Sequence, residues 1–336
     1  MSTDSSPGCT LFGGHQQKCE IILGVRYTSA TLSIIGCLFI VGVIWLFKKY
    51  EVFAQRLILY LSMAAFLSSV GYLFAGNYPQ SPSCKFEAFW LTYFEWVVLL
   101  WVCCITVNLL FNGILTRRTD HFEWLYHVIC WCIPLVISCF PFINNSYGYA
   151  GAWCWIQPQF PYWRFGIWYG PLFVIIGLLF VCYLYLTIHL RRKVKSWEGL
   201  YNPELERTKE VLRQQIRPLQ WYPLIYLSLS VFPLIHRIQN AISHENVFGL
   251  MLLHILFAPL PGTVNAIVFT LDRETTSRLS WIQVKRAFLS HFTKQTIIGE
   301  YPAEVHSPIS TSNSQPIIDM EITSEQTDLD VHVSQV

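Results

Sequence analysis

The sequence predicts an all-α membrane protein, a bundle of seven transmembrane helices with the N-terminus outside and an amphipathic helix after the seventh span. Three observations carry this reading. The 336 residues are 53% hydrophobic and 16% aromatic, and only 13% are charged; an ordinary soluble domain is charged at roughly 25% of its positions. The apolar residues gather into seven blocks, 24–47, 57–76, 86–115, 123–143, 162–190, 219–242 and 247–271. Each is long enough for a helix to cross a hydrocarbon layer about 30 Å thick. Finally, 18 of the 23 Lys and Arg residues fall on one side when these blocks are threaded back and forth. An excess of basic residues marks the cytoplasmic side, which puts the N-terminus outside and the C-terminus inside.

The N-terminal segment 1–23 carries Asp4, His15, Lys18 and Glu20 without a continuous apolar core. No cleaved signal is therefore expected, and the first span serves as its own signal. The segments facing outside are short except for residues 144–161, which hold Cys154 between Trp153 and Trp155. Outside the cell disulfides persist, and the other external cysteines are Cys84, at the start of the third span, Cys9 and Cys19. A bridge between Cys84 and Cys154 is expected, with a free thiol as the alternative; it would pin the long loop across the mouth of the bundle and stabilise by a few kcal/mol. Cys9 with Cys19 is a second, weaker pair. The flanking tryptophans suit a membrane boundary. "NNS" at 144–146 makes Asn144 a candidate glycosylation site. The remaining cysteines at 37, 103, 104, 130, 132, 139 and 182 read as small packing residues, and no metal site or cofactor is expected.

Inside, the loop "YNPELERTKEVLRQQIRP" (201–218) opens with Asn202 and Pro203, a helix start running into the sixth span. After the seventh span, Trp281, Val284, Phe288 and Phe292 recur at helical spacing with Lys285 and Arg286 off that stripe. Residues 272–292 are thus an amphipathic helix on the membrane surface, a short buried helix being the alternative. Beyond Lys294 the chain has no basic residue, keeps seven acids and is rich in Ser and Thr. The tail 293–336 is expected to be disordered and cytoplasmic. Phosphorylation by a kinase and reading by an arrestin would suit it; an inert solvated tail is the other reading. The chain thus divides into an external segment 1–23, a seven-transmembrane domain 24–271, the surface helix 272–292 and the tail.

Seven spans with a third-span cysteine tied to the second external loop resemble a G-protein-coupled receptor. More specifically, "RLILYLSMAAFLSS" (56–69), "HVICWCIPLVIS" (127–138), "WCWI" (153–156) and "LHILFAPLPGTVNAIVF" (253–269) are similar to stretches of the slime-mould cyclic-AMP receptor-like group (class E) and its animal orphan relatives. Trp131, Pro134, Gly262 and Asn265 match that group's pattern, over residues 24–290. The chain departs from it at Ala65, where the family has an acid, and at Pro261, where it has Gln. No Asp-Arg-Tyr-like triplet closes the third span, which ends "NGILTRRTD".

The resemblance implies a receptor that passes an external signal to a heterotrimeric G protein by a change in the bundle. Arg117 and Arg118, with the cluster Arg191, Arg192, Lys193 and Lys195, are the candidate contacts to that protein. Ionisable residues within lipid are functional candidates. Glu95 lies 11 residues after Cys84, roughly 16 Å along a helix axis, and a pairing with Arg237 of the sixth span would lower the cost of both charges. Glu95, Arg237, Lys85 and Arg164 are read as determinants of an outward-facing ligand pocket, the basic members suiting a small anionic group. Their structural alternative is interhelical bonding and snorkelling. Asn108, Asn112 and Asn265 are read as interhelical glue. Pro233 and Pro261 are kinks in the two helices such a receptor would move. The histidines 127, 236 and 254 have no motif spacing and read as packing residues.

Other function classes fit less well. A transporter or channel is the alternative, but the halves share no internal similarity. An intramembrane zinc hydrolase lacks a convergent ligand set, so no enzyme is expected. A retinal receptor lacks a lysine in 247–271. The partners implied are the bilayer, an external ligand and a G protein, with the plasma membrane as the location; nucleic acid is not among them.

Overall fold

The computed structural model of the chain describes residues 16–74, 81–114, 119–150, 153–196, 219–243 and 247–292, and every statement below concerns these. The architecture is helical. The elements are α1 (Gln16–Leu46), α2 (Phe53–Leu73), α3 (Pro82–Ile114) and α4 (Asp120–Phe142), then the strands β1 (Tyr147–Tyr149) and β2 (Cys154–Ile156). Next comes α5, the continuous run of Pro161–Arg164, Phe165–Tyr169 and Gly170–Ser196, followed by α6 (Trp221–Ser243), α7 (Phe248–Phe257), α8 (Pro261–Leu271), α9 (Arg273–Arg278) and α10 (Trp281–Phe292).

Helices α1 to α5 are each long and apolar enough to cross a membrane, and α7 with α8 makes a sixth if the bent pair is one span. Helix α6 has the length but is diluted by His236, Arg237, Gln239 and Asn240 near its end. The first helix begins at Gln16 rather than at 24, because Gln16, Gln17, Lys18 and Glu20 are good helix formers with no breaker before the apolar run. The expected single span 247–271 is two helices meeting at 49°. Pro259 and Pro261 cause this break, since neither can donate a backbone hydrogen bond and each ring displaces the carbonyl four residues before it.

The same physics acts on α4 and α5. Each contains one wide turn, Val128–Cys132 and Phe165–Tyr169. Each wide turn includes the residue four positions ahead of a proline, Cys130 before Pro134 and Ile167 before Pro171. Widening the helix there moves the carbonyl away from the ring without ending the helix.

Helix α3 forms the axis of the bundle, packing against α2, α4, α5, α6 and both strands. Its Leu99, Trp101 and Ile105 are fully buried in the same apolar core as Leu57, Ile58 and Leu61 of α2. Helix α5 instead leaves Val174, Leu178, Val181 and Tyr185 on the surface, a face suited to lipid rather than to water. On the opposite flank α1 meets α8 at two glycines. A Cβ on Gly36 would lie 2.6 Å from the Gly262 carbonyl oxygen, and a Cβ on Gly262 would strike Ser33 and Cys37. Ser33 Oγ accepts from Gly262 N at 3.1 Å and from Ser69 Oγ at 2.8 Å, so three helices meet at one hydroxyl.

The α4 end of the bundle opposite the hairpin has its own ties. Arg56 donates through Nε and Nη2 to the two oxygens of Glu123, both at 2.8 Å, and Tyr60 donates to the same carboxylate. Asn108 accepts from Asn112 at 3.0 Å and from Thr119, fastening the end of α3 to the start of α4. Asp272 caps α9 by accepting from Thr275 N. The ring of His291 in α10 stacks on Trp45, and its Nε2 lies 3.0 Å from the Leu46 carbonyl oxygen. In α10, Trp281, Ile282 and Phe288 are exposed, as are Lys285 and Arg286. Residues 293–336, expected to form the tail, lie outside the described residues.

Candidate functional site

The site is built around the 147–156 hairpin. Two three-residue strands cannot hold together alone, and here they are tied from three sides. The strands pair antiparallel with Tyr147 opposite Ile156, Gly148 opposite Trp155 and Tyr149 opposite Cys154. Cys154 is joined by a disulfide to Cys84 at the start of α3, with 5.2 Å between the Cα atoms. Tyr147 donates to the Ser138 carbonyl at 2.9 Å and Ser146 to the Pro141 carbonyl at 2.7 Å, anchoring β1 on the end of α4. Burial pushes the Tyr147 phenol above its ordinary pKa, which keeps it a neutral donor. The turn before β1 needs a left-handed residue, and Asn145 supplies it at φ 49°. In the sequon Asn144 is exposed, while Ser146 is fully buried.

Arg164 is the third tie. Its Nε and Nη2 donate to the Ile156 carbonyl at 2.9 and 2.7 Å, and its guanidinium lies over the Trp155 ring. Arg237 of α6 approaches the same hairpin. Its guanidinium carbon is 4.6 Å from the Trp155 ring centre, 5.5 Å from that of Tyr169 and 5.6 Å from that of Trp153. Ring faces attract a cation, more strongly where water is scarce. Arg237 Nε is buried without a hydrogen-bond partner, and among the described residues no carboxylate lies within 4 Å of its guanidinium.

Beneath Arg237 is a cavity of about 100 Å³ between α2, α3, α5, α6 and the α7–α8 break. Glu95, Arg237, Trp168, Tyr226 and Phe257 line it, and Ala65, where the family has an acid, is also on its wall. Glu95 accepts a hydrogen bond from the Tyr72 hydroxyl. The expected direct pairing of Glu95 with Arg237 is not made; the two share the cavity wall without touching. Toward the hairpin a second cavity of about 260 Å³ is lined by Arg164, Tyr169, His236, Arg237 and Asn240.

Of the four polar residues singled out in the sequence, Glu95 and Arg237 therefore line one cavity, and Arg164 lines the second with Arg237. Lys85 points elsewhere, donating to Asn145 Oδ1 at 3.3 Å. Pro233, inside α6, and Pro261, the first residue of α8, both line the cavity, and Asn265 is buried in α8. Arg191, Arg192, Lys193 and Lys195 lie in the last turns of α5, where the Arg192 side chain is exposed. Arg117 and Arg118 lie outside the described residues, as does Cys9 of the Cys9–Cys19 pairing.

Sequence reasoning missed two features. Arg26 and Glu87 form a buried ion pair at 2.6 Å, and Arg26 also donates to the carbonyls of Tyr72 and Phe74. The signal was present, since an arginine three residues inside an apolar block is costly unless paired. His236 and His254 face each other with Nδ1 atoms 3.0 Å apart, joining α6 to α7. No spacing rule connects two histidines 18 residues apart across a loop.

Apolar helices enclosing a charged cavity beneath a cross-linked hairpin define a helical membrane protein. The chain belongs to the slime mold cyclic AMP receptor family, whose sequence profile matches residues 14–323. It is 29% identical over 261 residues to cyclic AMP receptor-like protein A of Dictyostelium discoideum, covering 76% of this chain and 66% of that protein. Against cyclic AMP receptor 1 of the same organism it is 23% identical over 313 residues, covering 88% of this chain and 74% of the relative. Against G-protein coupled receptor 157 of Homo sapiens it is 27% identical over 277 residues, covering 75% and 81%. The chain thus spans about two thirds of the length of the first of these relatives.

Proposed function

We propose that the chain is a G-protein-coupled receptor of the plasma membrane that binds an external ligand in the cavity beneath the hairpin. In this reading α6 and the α7–α8 pair each cross the bilayer, giving seven spans with the N-terminus outside. The bias of basic residues supports that orientation. The observation that carries the reading is Arg237, a cation without a carboxylate partner among the described residues, held between Trp153, Trp155 and Tyr169 above a cavity. A cation so placed suits an anionic group on the ligand.

Signal transfer requires only that the ligand bind one arrangement of the bundle better than another. The elements that bear on the cavity and carry a proline there, α6 with Pro233 inside it and the α7–α8 break at Pro261, are the ones that would move. The opposite face would present Arg117, Arg118, Arg191, Arg192, Lys193 and Lys195 to a heterotrimeric G protein. A kinase and an arrestin would act on the acidic tail beyond residue 293, and α10 would lie on the inner leaflet.

The test is nucleotide exchange on purified heterotrimers of each subtype, with the full-length receptor in lipid discs. The reading predicts exchange above the receptor-free rate, reduced when Arg191, Arg192, Lys193 and Lys195 are changed together to Gln. Exchange at the receptor-free rate with every subtype, across a screen of small anions and zwitterions, would contradict it.

A further inference from the structure

The cavity beneath the hairpin carries one uncompensated group of each sign. Besides the phenols of Tyr72 and Tyr226, the ionisable residues that line it and its extension toward α1 are Arg26, Glu95, Arg237 and His254. Arg26 is already satisfied, since Glu87 pairs with it at 2.6 Å and two backbone carbonyls take its other hydrogen bonds. His254 is engaged with His236. Glu95 and Arg237 remain. Tyr72 donates to one oxygen of Glu95, which is the carboxylate's one hydrogen bond among the described residues. Arg237 is met by aromatic faces and has a buried Nε with no acceptor. The two line the same cavity, from α3 and α6, yet no nitrogen of Arg237 lies within 4 Å of an oxygen of Glu95.

Charges of opposite sign in a low-dielectric site are expensive to keep apart, and direct contact would lower that cost. A separation that persists is a mould for something placed between them. We infer that the ligand is a small zwitterion, with an ammonium directed to Glu95 and a carboxylate or similar anion to Arg237. Trp168 and Phe257 supply apolar walls for the link between the two charged ends. A bound zwitterion satisfies Arg237 Nε and the free carboxylate oxygen together without changing the net charge of the site. A singly charged anion satisfies only one of them and leaves Glu95 facing it. This inference rests on the receptor reading only in using the same cavity, and it names the ligand class which that reading leaves open.

The experiment uses the full-length chain in discs of phosphatidylcholine and reads the concentration at which a compound half-maximally raises the unfolding temperature. The probes are linear amino acids with one to five methylenes between ammonium and carboxylate. Alkylammonium and alkanoate ions of the same length are the comparators. At the best-fitting length the amino acid is expected to act at roughly tenfold lower concentration than either comparator, as one added charge-assisted hydrogen bond would give. Glu95→Gln should reduce the amino acid to the level of the alkanoate, and Arg237→Gln to that of the alkylammonium. An alkanoate equal to the amino acid at every length in the unaltered protein overturns the inference, with no dependence on whether the variants fold. Failure of all three classes to stabilise overturns it as well. Nucleotide exchange run in parallel separates the two claims: zwitterion binding without exchange contradicts the receptor reading alone, and exchange driven only by a singly charged ligand contradicts the zwitterion alone.

Discussion

Arg26 Nη2 donates to Glu87 Oε1 at 2.6 Å, and the two side chains are 3% and 1% exposed. The pair joins α1 to α3 inside an apolar bundle, and the additional bonds of Arg26 to the carbonyls of Tyr72 and Phe74 extend the tie to the end of α2. Removing one partner strands the other charge out of water, a loss of about 3–5 kcal/mol. Glu87→Gln and Arg26→Met should each lower the unfolding temperature and the amount of folded protein. The double variant Arg26→Met with Glu87→Leu should recover part of the loss, because no unpaired charge remains. A loss in the double variant equal to the sum of the single losses would mean that the pair is not coupled.

Close approach of α1 and α8 makes a second prediction. Gly36→Ala and Gly262→Ala each place a methyl group against backbone or the Ser33 hydroxyl, where overpacking costs about 1–3 kcal/mol. Gly42→Ala, on the same helix with open space at its Cβ, should be neutral or slightly stabilising, since alanine favours a helix by about 1 kcal/mol over glycine. Thermal unfolding of the three variants side by side checks the contrast, and a Gly42→Ala loss as large as the others would refute the assignment.

The hairpin's attachment gives a third. Cys84→Ser, Cys154→Ser and the double substitution should destabilise by the same amount, about 2–4 kcal/mol, because any of them removes the same cross-link. Since Trp155 reaches Arg237 from β2, each should also weaken binding of the amino-acid probes. Retention of full probe affinity in the double variant would show that the hairpin does not shape the cavity.

At the other end of α2, Arg56 and Tyr60 converge on the partly exposed carboxylate of Glu123. The Arg56 and Glu123 side chains are 27% and 24% exposed, and water screens a pair near the surface, so Glu123→Gln should lower the unfolding temperature by less than Glu87→Gln does. A loss comparable to that of Glu87→Gln would contradict the difference in burial.

Much of this fold was legible from hydropathy, because a spanning helix must be apolar over its whole length and the seven blocks each coincide with a helix or a bent helix pair. Element ends were less legible. Gln16 to Leu23 continue α1 because helix propensity, which hydropathy does not register, decides where a helix outruns its apolar stretch. The prolines announced kinks, but the form of each depends on surroundings. Pro134 and Pro171 widen their helices, whereas Pro259 and Pro261 together break one. Within the site, Glu95 and Arg237 stood out as charges in apolar runs. Their partners did not: Tyr72 and the rings of Trp153, Trp155 and Tyr169 are ordinary aromatic residues until α2, the hairpin and α5 are packed together.

The cavity faces the medium only if α6 and the α7–α8 pair each traverse the bilayer, so that the two ends of the chain lie on opposite sides. Epitope tags at residue 1 and residue 336, probed with antibody on intact and then permeabilised cells, test this directly. The account predicts that the N-terminal tag is stained on intact cells and the C-terminal tag only after permeabilisation; staining of both tags under the same condition would contradict it.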